Sequence, residues 1–207
     1  MLQLTAVAGL VAGSLNLAAL ILYVLATFGW ALRGNMRLHR VNKKTKPNRV
    51  AWGVWTVVGI LISLTSLKSG ATDTMSVPIV LAAGPLIVFL ISIKHGEGGW
   101  TVWDKLCLVG AGVAGIVWFF TGSAPTALLL CIVADAFGVA AVVAHAYNKP
   151  QEESKIAWVV FLVGDVVNIF AVTDWSWSES PVWFYVVYMV AHTGIIVAIL
   201  CRFSRNT

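Results

Sequence analysis

Lys46-Pro47-Asn48 followed by Arg49-Val50-Ala51-Trp52 has a second copy in the chain, Lys149-Pro150-Gln151 and then Lys155-Ile156-Ala157-Trp158, and each copy opens a long apolar run. Aligning residues 49–55 (RVAWGVW) with 155–161 (KIAWVVF) superposes the two runs. Continuing through the next run sets Ala83 beside Ala191 and Lys94 beside Arg202, with an offset only two residues different. A repeat of about a hundred residues in so apolar a chain is how many membrane carriers are built, with the solute site between the halves.

Composition points the same way. Hydrophobic residues make up 59% of the 207 and charged residues 11%, with 10 tryptophans, too much apolar surface for a water-soluble domain to cover with polar groups. A helix that crosses the hydrocarbon needs roughly 20 mostly apolar residues. Breaks rich in charge, Gly, Pro and Ser leave seven such runs, at 5–31, 50–67, 77–93, 104–121, 124–146, 156–173 and 182–201. The runs are continuously apolar, whereas barrel strands alternate with a period of two, so helices are expected. The first run has no basic residues before it and is too long for a signal-peptide core, so it reads as a retained helix.

The repeats then give an all-α integral membrane fold of seven transmembrane helices as 3+1+3 parallel three-helix-bundle repeats. The first repeat is expected at 1–97, the connector helix at 98–122 and the second repeat at 123–207. An odd connector is what leaves two units of the same sequence order in the same orientation.

The basic balance, +5 at neutral pH, is distributed as a topology signal rather than as a nucleic-acid footprint. Arg33, Arg37, Arg40, Lys43, Lys44, Lys46 and Arg49 lie between the first two runs, and Lys94, Lys105, Lys149, Lys155, Arg202 and Arg205 fall on the same side; only Lys68 falls opposite. That 13-to-1 split places the N-terminus outside and the C-terminus in the cytoplasm. A bacterial inner or plasma membrane is the expected location, with membrane lipid as a partner, no nucleic acid, and homo-oligomers left open. Trp30, Trp52, Trp100, Trp103 and Trp158 fall near the cytoplasmic ends and Trp175, Trp177 and Trp183 near the outer ends, as interfacial anchors do. Cys107, Cys131 and Cys201 show no metal-ligand spacing and read as packing residues. No metal and no cofactor are expected.

Ionisable groups within the bilayer are expensive, roughly 2.5 to 3.5 kcal/mol at its centre, and each is a functional candidate for that reason. Asp135, Asp165 and His192 fall near the middles of the fifth, sixth and seventh runs, at about one depth. Asn168 follows Asp165 on the same helical face, Thr193 follows His192, and Asn16 is the polar residue of the first run. Together they outline a solute site, with proton coupling through Asp135 and Asp165 as an accompanying expectation. In the first repeat Gly59 stands opposite Asp165, and Gly84 and Pro85 stand opposite His192 and Thr193, so the site is asymmetric. Each polar residue has a plainer reading as an interhelical bridge worth about 0.6 to 2 kcal/mol. Pro85, within the third run, is a candidate hinge, and Pro47 and Pro150 are either hinges or ordinary helix-start prolines.

With these features the chain resembles the PQ-loop superfamily, which includes the SWEET and SemiSWEET sugar transporters and the lysosomal amino-acid exporters. The sharpest local likeness is Phe161-Leu162-Val163-Gly164-Asp165-Val166-Val167-Asn168, similar to a Gly-Asp-x-x-Asn stretch of that family. The resemblance implies alternating access between two three-helix bundles and aromatic walls at Trp55 and Phe161. Two departures stand out. The Pro150-Gln151 pair lies in a loop rather than within a helix, and the third-helix positions that hold asparagine in SWEET proteins carry Gly84 or Pro85 and His192.

The function expected is therefore transport of a small polar solute, a sugar, amino acid or similar metabolite, and not catalysis. A receptor or scaffold that binds without transporting is the alternative. A retinal protein would need a lysine in 182–201, and there is none. An intramembrane hydrolase is disfavoured because His39, His95 and His145 lie toward the cytoplasmic side, away from His192, and HExxH is missing.

Overall fold

A computed structural model of the chain describes residues 2–32, 38–40, 44–68, 76–99, 101–121, 124–177 and 180–203. Among them are seven α-helices: α1 (Leu2–Thr27), α2 (Arg49–Lys68), α3 (Ser76–His95), α4 (Val102–Thr121), α5 (Ala124–Asn148), α6 (Lys155–Ile169) and α7 (Ser180–Phe203). A short antiparallel ribbon, β1 (Trp30–Leu32) with β2 (Leu38–Arg40), pairs Trp30 with Arg40. A 3₁₀ turn, Pro150–Glu152, leads into α6. Of the topology and anchoring residues, Arg33, Arg37, Lys43, Trp100 and Arg205 lie outside the described residues.

All seven apolar runs are helical, but two end earlier than expected. The first stops at Thr27 instead of residue 31 because Gly29 takes the left-handed conformation, φ 84°, and its amide bonds back to the Ala26 carbonyl. The sixth stops at Ile169 instead of 173: the amides of Phe170, Ala171 and Val172 each reach back three residues, so the last turn tightens and unwinds into the polar segment around Asp174.

The chain divides into two compact units, Met1–Lys46 with His145–Thr207, and Pro47–Ala144. This partition by packing differs from the partition by sequence order, because in the first unit α1 packs along α6, and α6 along α7. The reason is a stripe of small and aromatic residues on α1, Ala12, Ala19, Tyr23 and Ala26, all buried, at spacings of seven, four and three residues. Across from it α6 offers Ala157, Trp158, Gly164 and Asp165, also buried. A Cβ on Gly164 would stand 3.0 Å from Asn16 Oδ1 and 3.3 Å from the Ala12 carbonyl, so glycine is what lets the two backbones approach. The opposite face of α1, with Leu4, Leu10, Leu17 and Ile21, is exposed.

In the second unit α2 packs along α3 and against α4. Val54, Val58, Cys107 and Ala134 form its buried centre, flanked by Phe137, whose ring fills the space a side chain at Gly110 would need. At the other end Gly96 allows the chain to pass within 2.5 Å of where its Cβ would meet the Pro47 carbonyl.

Among the described residues, three helical stretches are long and apolar enough to cross a membrane: Leu4–Thr27, Val102–Thr121 and Trp183–Arg202. Trp30, Trp103, Trp175 and Trp177 are exposed, as interfacial anchors require, but Trp52 and Trp158 are 3% and 2% exposed. These two are packing residues rather than anchors: Trp52 meets the Trp55 ring at 4.9 Å, and the Trp158 indole donates to Glu153.

Candidate functional site

The buried carboxyl of Asp165 is the meeting point of three helices. It is 3% exposed. Asn16 Nδ2 of α1 donates to Oδ1 at 3.4 Å, and the Thr193 hydroxyl of α7 donates to Oδ2 at 3.1 Å. The Thr193 oxygen also lies 2.8 Å from the Met189 carbonyl one turn back, an alternative acceptor for its single proton. A carboxylate accepts about four hydrogen bonds, and these two leave room for more. Asn16 Oδ1 is itself buried, with no partner among the described residues.

His192, 6% exposed, lies beside Thr193 with its ring 5.2 Å from that of Tyr188. Asn168 is half-buried one turn along α6 from Asp165. Phe161 stands on α6 with its ring 5.6 Å from Trp158. The structure thus brings Asn16, Asp165 and Thr193 into direct contact and sets His192 and Asn168 on the same two helices. Asp135 and Trp55 belong to the second unit, where Asp135 is buried on α5 and the Trp55 indole lies over Gly138. Of the prolines, Pro85 is inside α3, which continues as one helix to His95. Pro47 is buried and its carbonyl accepts from the Glu97 amide at 2.9 Å. Pro150 opens the 3₁₀ turn, five residues before α6 begins.

The first unit holds a second buried carboxyl, one that hydropathy and motif spacing do not single out. Glu153, between the 3₁₀ turn and α6, places Oε2 3.1 Å from the Tyr23 hydroxyl and 2.9 Å from the Trp158 indole N–H, and both donate to it. Its other oxygen lies 3.8 Å from His145 Nε2. Burial in this apolar joint pushes its pKa up to about 7, against the opposing effect of the Trp158 and Tyr23 hydrogen bonds; the neighbouring Glu152 charge adds to the rise. Glu152 is paired with Lys46 at 2.7 Å. The clue in the sequence is an acid that follows the repeated Lys-Pro phrase and lies five residues before its tryptophan.

The second unit has its own buried carboxyl near a helix start. Asp104 Oδ1 accepts from Asn48 Nδ2 at 3.0 Å, while Oδ2 accepts from the Gly99 and Thr101 amides and the Thr101 hydroxyl. Gly98 and Gly99 take left-handed conformations, φ 101° and 123°, that turn this amide toward the carboxylate. Asn48 also caps α2 through the Ala51 amide at 2.9 Å.

No family model matches the chain, and neither a curated protein nor a solved structure does.

Proposed function

We propose that this is an integral membrane protein of seven transmembrane helices, N-terminus outside and C-terminus cytoplasmic, in a bacterial inner or plasma membrane, that transports a small polar solute. In this reading it shares the alternating-access plan of the PQ-loop transporters. Asp165 is the centre of the solute site, flanked by Asn16, Asn168, His192 and Thr193.

The observation that carries the reading is an under-filled polar centre among apolar helices. Asp165 has two donors, and the buried Asn16 Oδ1 has none among the described residues. Buried acceptors without donors are expensive, about 1 to 3 kcal/mol each. A solute bearing hydroxyl or ammonium groups supplies the donors, which favours a sugar, an amino acid or a similar metabolite over an anion. Proton coupling assigns the carried proton to Asp165 or Asp135.

The test is a thermal-shift screen of the detergent-purified protein against sugars, amino acids, nucleosides and organic acids, followed by flux of any hit in proteoliposomes with and without a pH gradient. A neutral or cationic donor-rich solute should raise the melting temperature in wild type and not in Asp165→Asn, and should accumulate in the vesicles. Binding without flux would make the protein a receptor; no ligand in any class would remove Asp165 from a binding role.

A further inference from the structure

We propose that the Glu153 carboxyl is a proton-binding site, separate from the Asp165 cluster, whose occupancy sets how tightly α1 is held to the start of α6. The geometry that supports it is a joint with one carboxyl at its centre. Tyr23 of α1 and Trp158 of α6 both donate to the same oxygen, and their rings meet edge to face at 6.0 Å. Tyr23 is fully buried and Trp158 nearly so, which means that water does not share the load of solvating Oε2. The second oxygen is buried too, and the side chain facing it is His145 at 3.8 Å, beyond hydrogen-bond distance.

The remaining charged groups around Glu153 do not neutralise it. Glu152 is next in the chain and of like charge; Lys46 sits on Glu152 at 2.7 Å, and Lys149 lies 4.0 Å from it. The cations of this corner are therefore directed at the outer acid and not the inner one. His145 faces both, at 3.9 Å from Glu152 and 3.8 Å from Glu153. Two hydrogen bonds on one oxygen do not replace the hydration of a full charge. With a proton on Oε1 the group is neutral, Oε2 still accepts from Tyr23 and Trp158, and no charge is buried in the joint. Without it the joint buries a charge that water would solvate better, and α1 is drawn away from α6 to admit that water.

The effect of burial on this carboxyl agrees in sign. Burial raises the Glu153 pKa from its ordinary 4.5 to about 7. A carboxyl that holds its proton more tightly folded than unfolded contributes stability that is complete below its ordinary range and is lost as pH rises through about 7. The joint is therefore closed in mild acid and loosened in mild alkali, within the range a living compartment covers.

The experiment is infrared titration of the full chain in detergent, following the protonated-carboxyl band, with melting temperatures over the same pH series, for wild type, Glu153→Gln and Tyr23→Phe. Wild type should lose a band with a midpoint near pH 7 that Glu153→Gln lacks. The fall in melting temperature between pH 5 and pH 8 should be smaller in Glu153→Gln than in wild type. Tyr23→Phe removes a donor that favours the charged form, so its midpoint should move up, by up to about one pH unit. The Tyr23→Phe arm keeps the test open if Glu153→Gln does not fold. A band of the same amplitude lost through pH 7 in wild type and in Glu153→Gln, or a midpoint indifferent to Tyr23→Phe, overturns the proposal, since any signal from Asp165 or Asp135 is common to both proteins. Neither outcome depends on Asp165 or on finding a solute.

Discussion

Asp104 and Glu153 are two buried carboxyls beside helix starts, one in each compact unit, and they are built to opposite ends. Around Asp104 four donors divide over both oxygens, three of them supplied within five residues by the loop that precedes α4 and the fourth by Asn48. Around Glu153 two donors share one oxygen and come from helices far apart in the chain, while the second oxygen faces a histidine. The difference teaches how a fold chooses between a fixed charge and a titrating one. Local backbone amides cannot leave, so they hold an anion permanently; long-range side chains hold it only while two helices stay together.

The largest expected effect is at the saturated site. Asp104→Ala strands the Asn48 amide and two backbone N–H groups in a buried corner, and should lower the unfolding free energy by about 3 kcal/mol with no change in the pH dependence around neutrality. Denaturant or thermal unfolding over pH 5 to 8 checks both halves of that statement. If Asp104→Ala instead flattened the pH profile, the contrast between the two carboxyls would be lost.

Gly96→Ala comes next. Its Cβ would fall 2.5 and 2.6 Å from the Pro47 and Ser92 carbonyl oxygens, which are backbone and cannot step aside, so a loss of about 2 kcal/mol is expected from the melting temperature. Gly164→Ala meets the flexible end of Asn16 at 3.0 Å, and should lose about 1 kcal/mol by the same measurement. Gly164→Ala proving worse than Gly96→Ala would mean that the α1–α6 approach is stiffer than the α2–α3 corner.

The effect that changes with pH sharpens the comparison most. Tyr23→Phe should lower stability by about 1.5 kcal/mol above pH 7, where it removes a hydrogen bond to a charged acceptor, and by less at pH 5, where the acceptor is neutral. Two unfolding curves per protein suffice, and an equal loss at both pH values would count against a titrating Glu153.

The seven helices were legible because hydropathy over about twenty residues is a strong local signal, and the polar residues at mid-run were legible because they interrupt it. The ends of α1 and α6 were not, since Gly29 and the polar stretch after Ile169 act through backbone conformation, which hydropathy does not register. Trp52 and Trp158 illustrate a different gap. A tryptophan near a run's end looks like an anchor from its position, and only a packing partner reveals that it is buried. Glu153 was hidden for the same reason: an acid in a basic loop reads as solvated, and its partner Tyr23 lies 130 residues away. Asn16 stands out by its depth and Thr193 by following His192, but their convergence on Asp165 depends on α1 and α7 both lying along α6, which the sequence repeat does not imply.

Along the α1–α6 pair, Asn16 meets Asp165 and Tyr23 meets Glu153 and Trp158. Seven residues separate Asn16 from Tyr23 and seven separate Trp158 from Asp165, so two polar matches lie two turns apart on antiparallel helices. During synthesis α1 emerges first and waits for α6 through more than a hundred residues, on the order of ten seconds at ribosomal speed. For that interval its asparagine and tyrosine have no proper counterpart. A partner displaced by one turn would part both matches at once, and a partner lacking either match would satisfy only one. The pair of matches therefore acts as a two-digit address by which the first helix made finds the sixth.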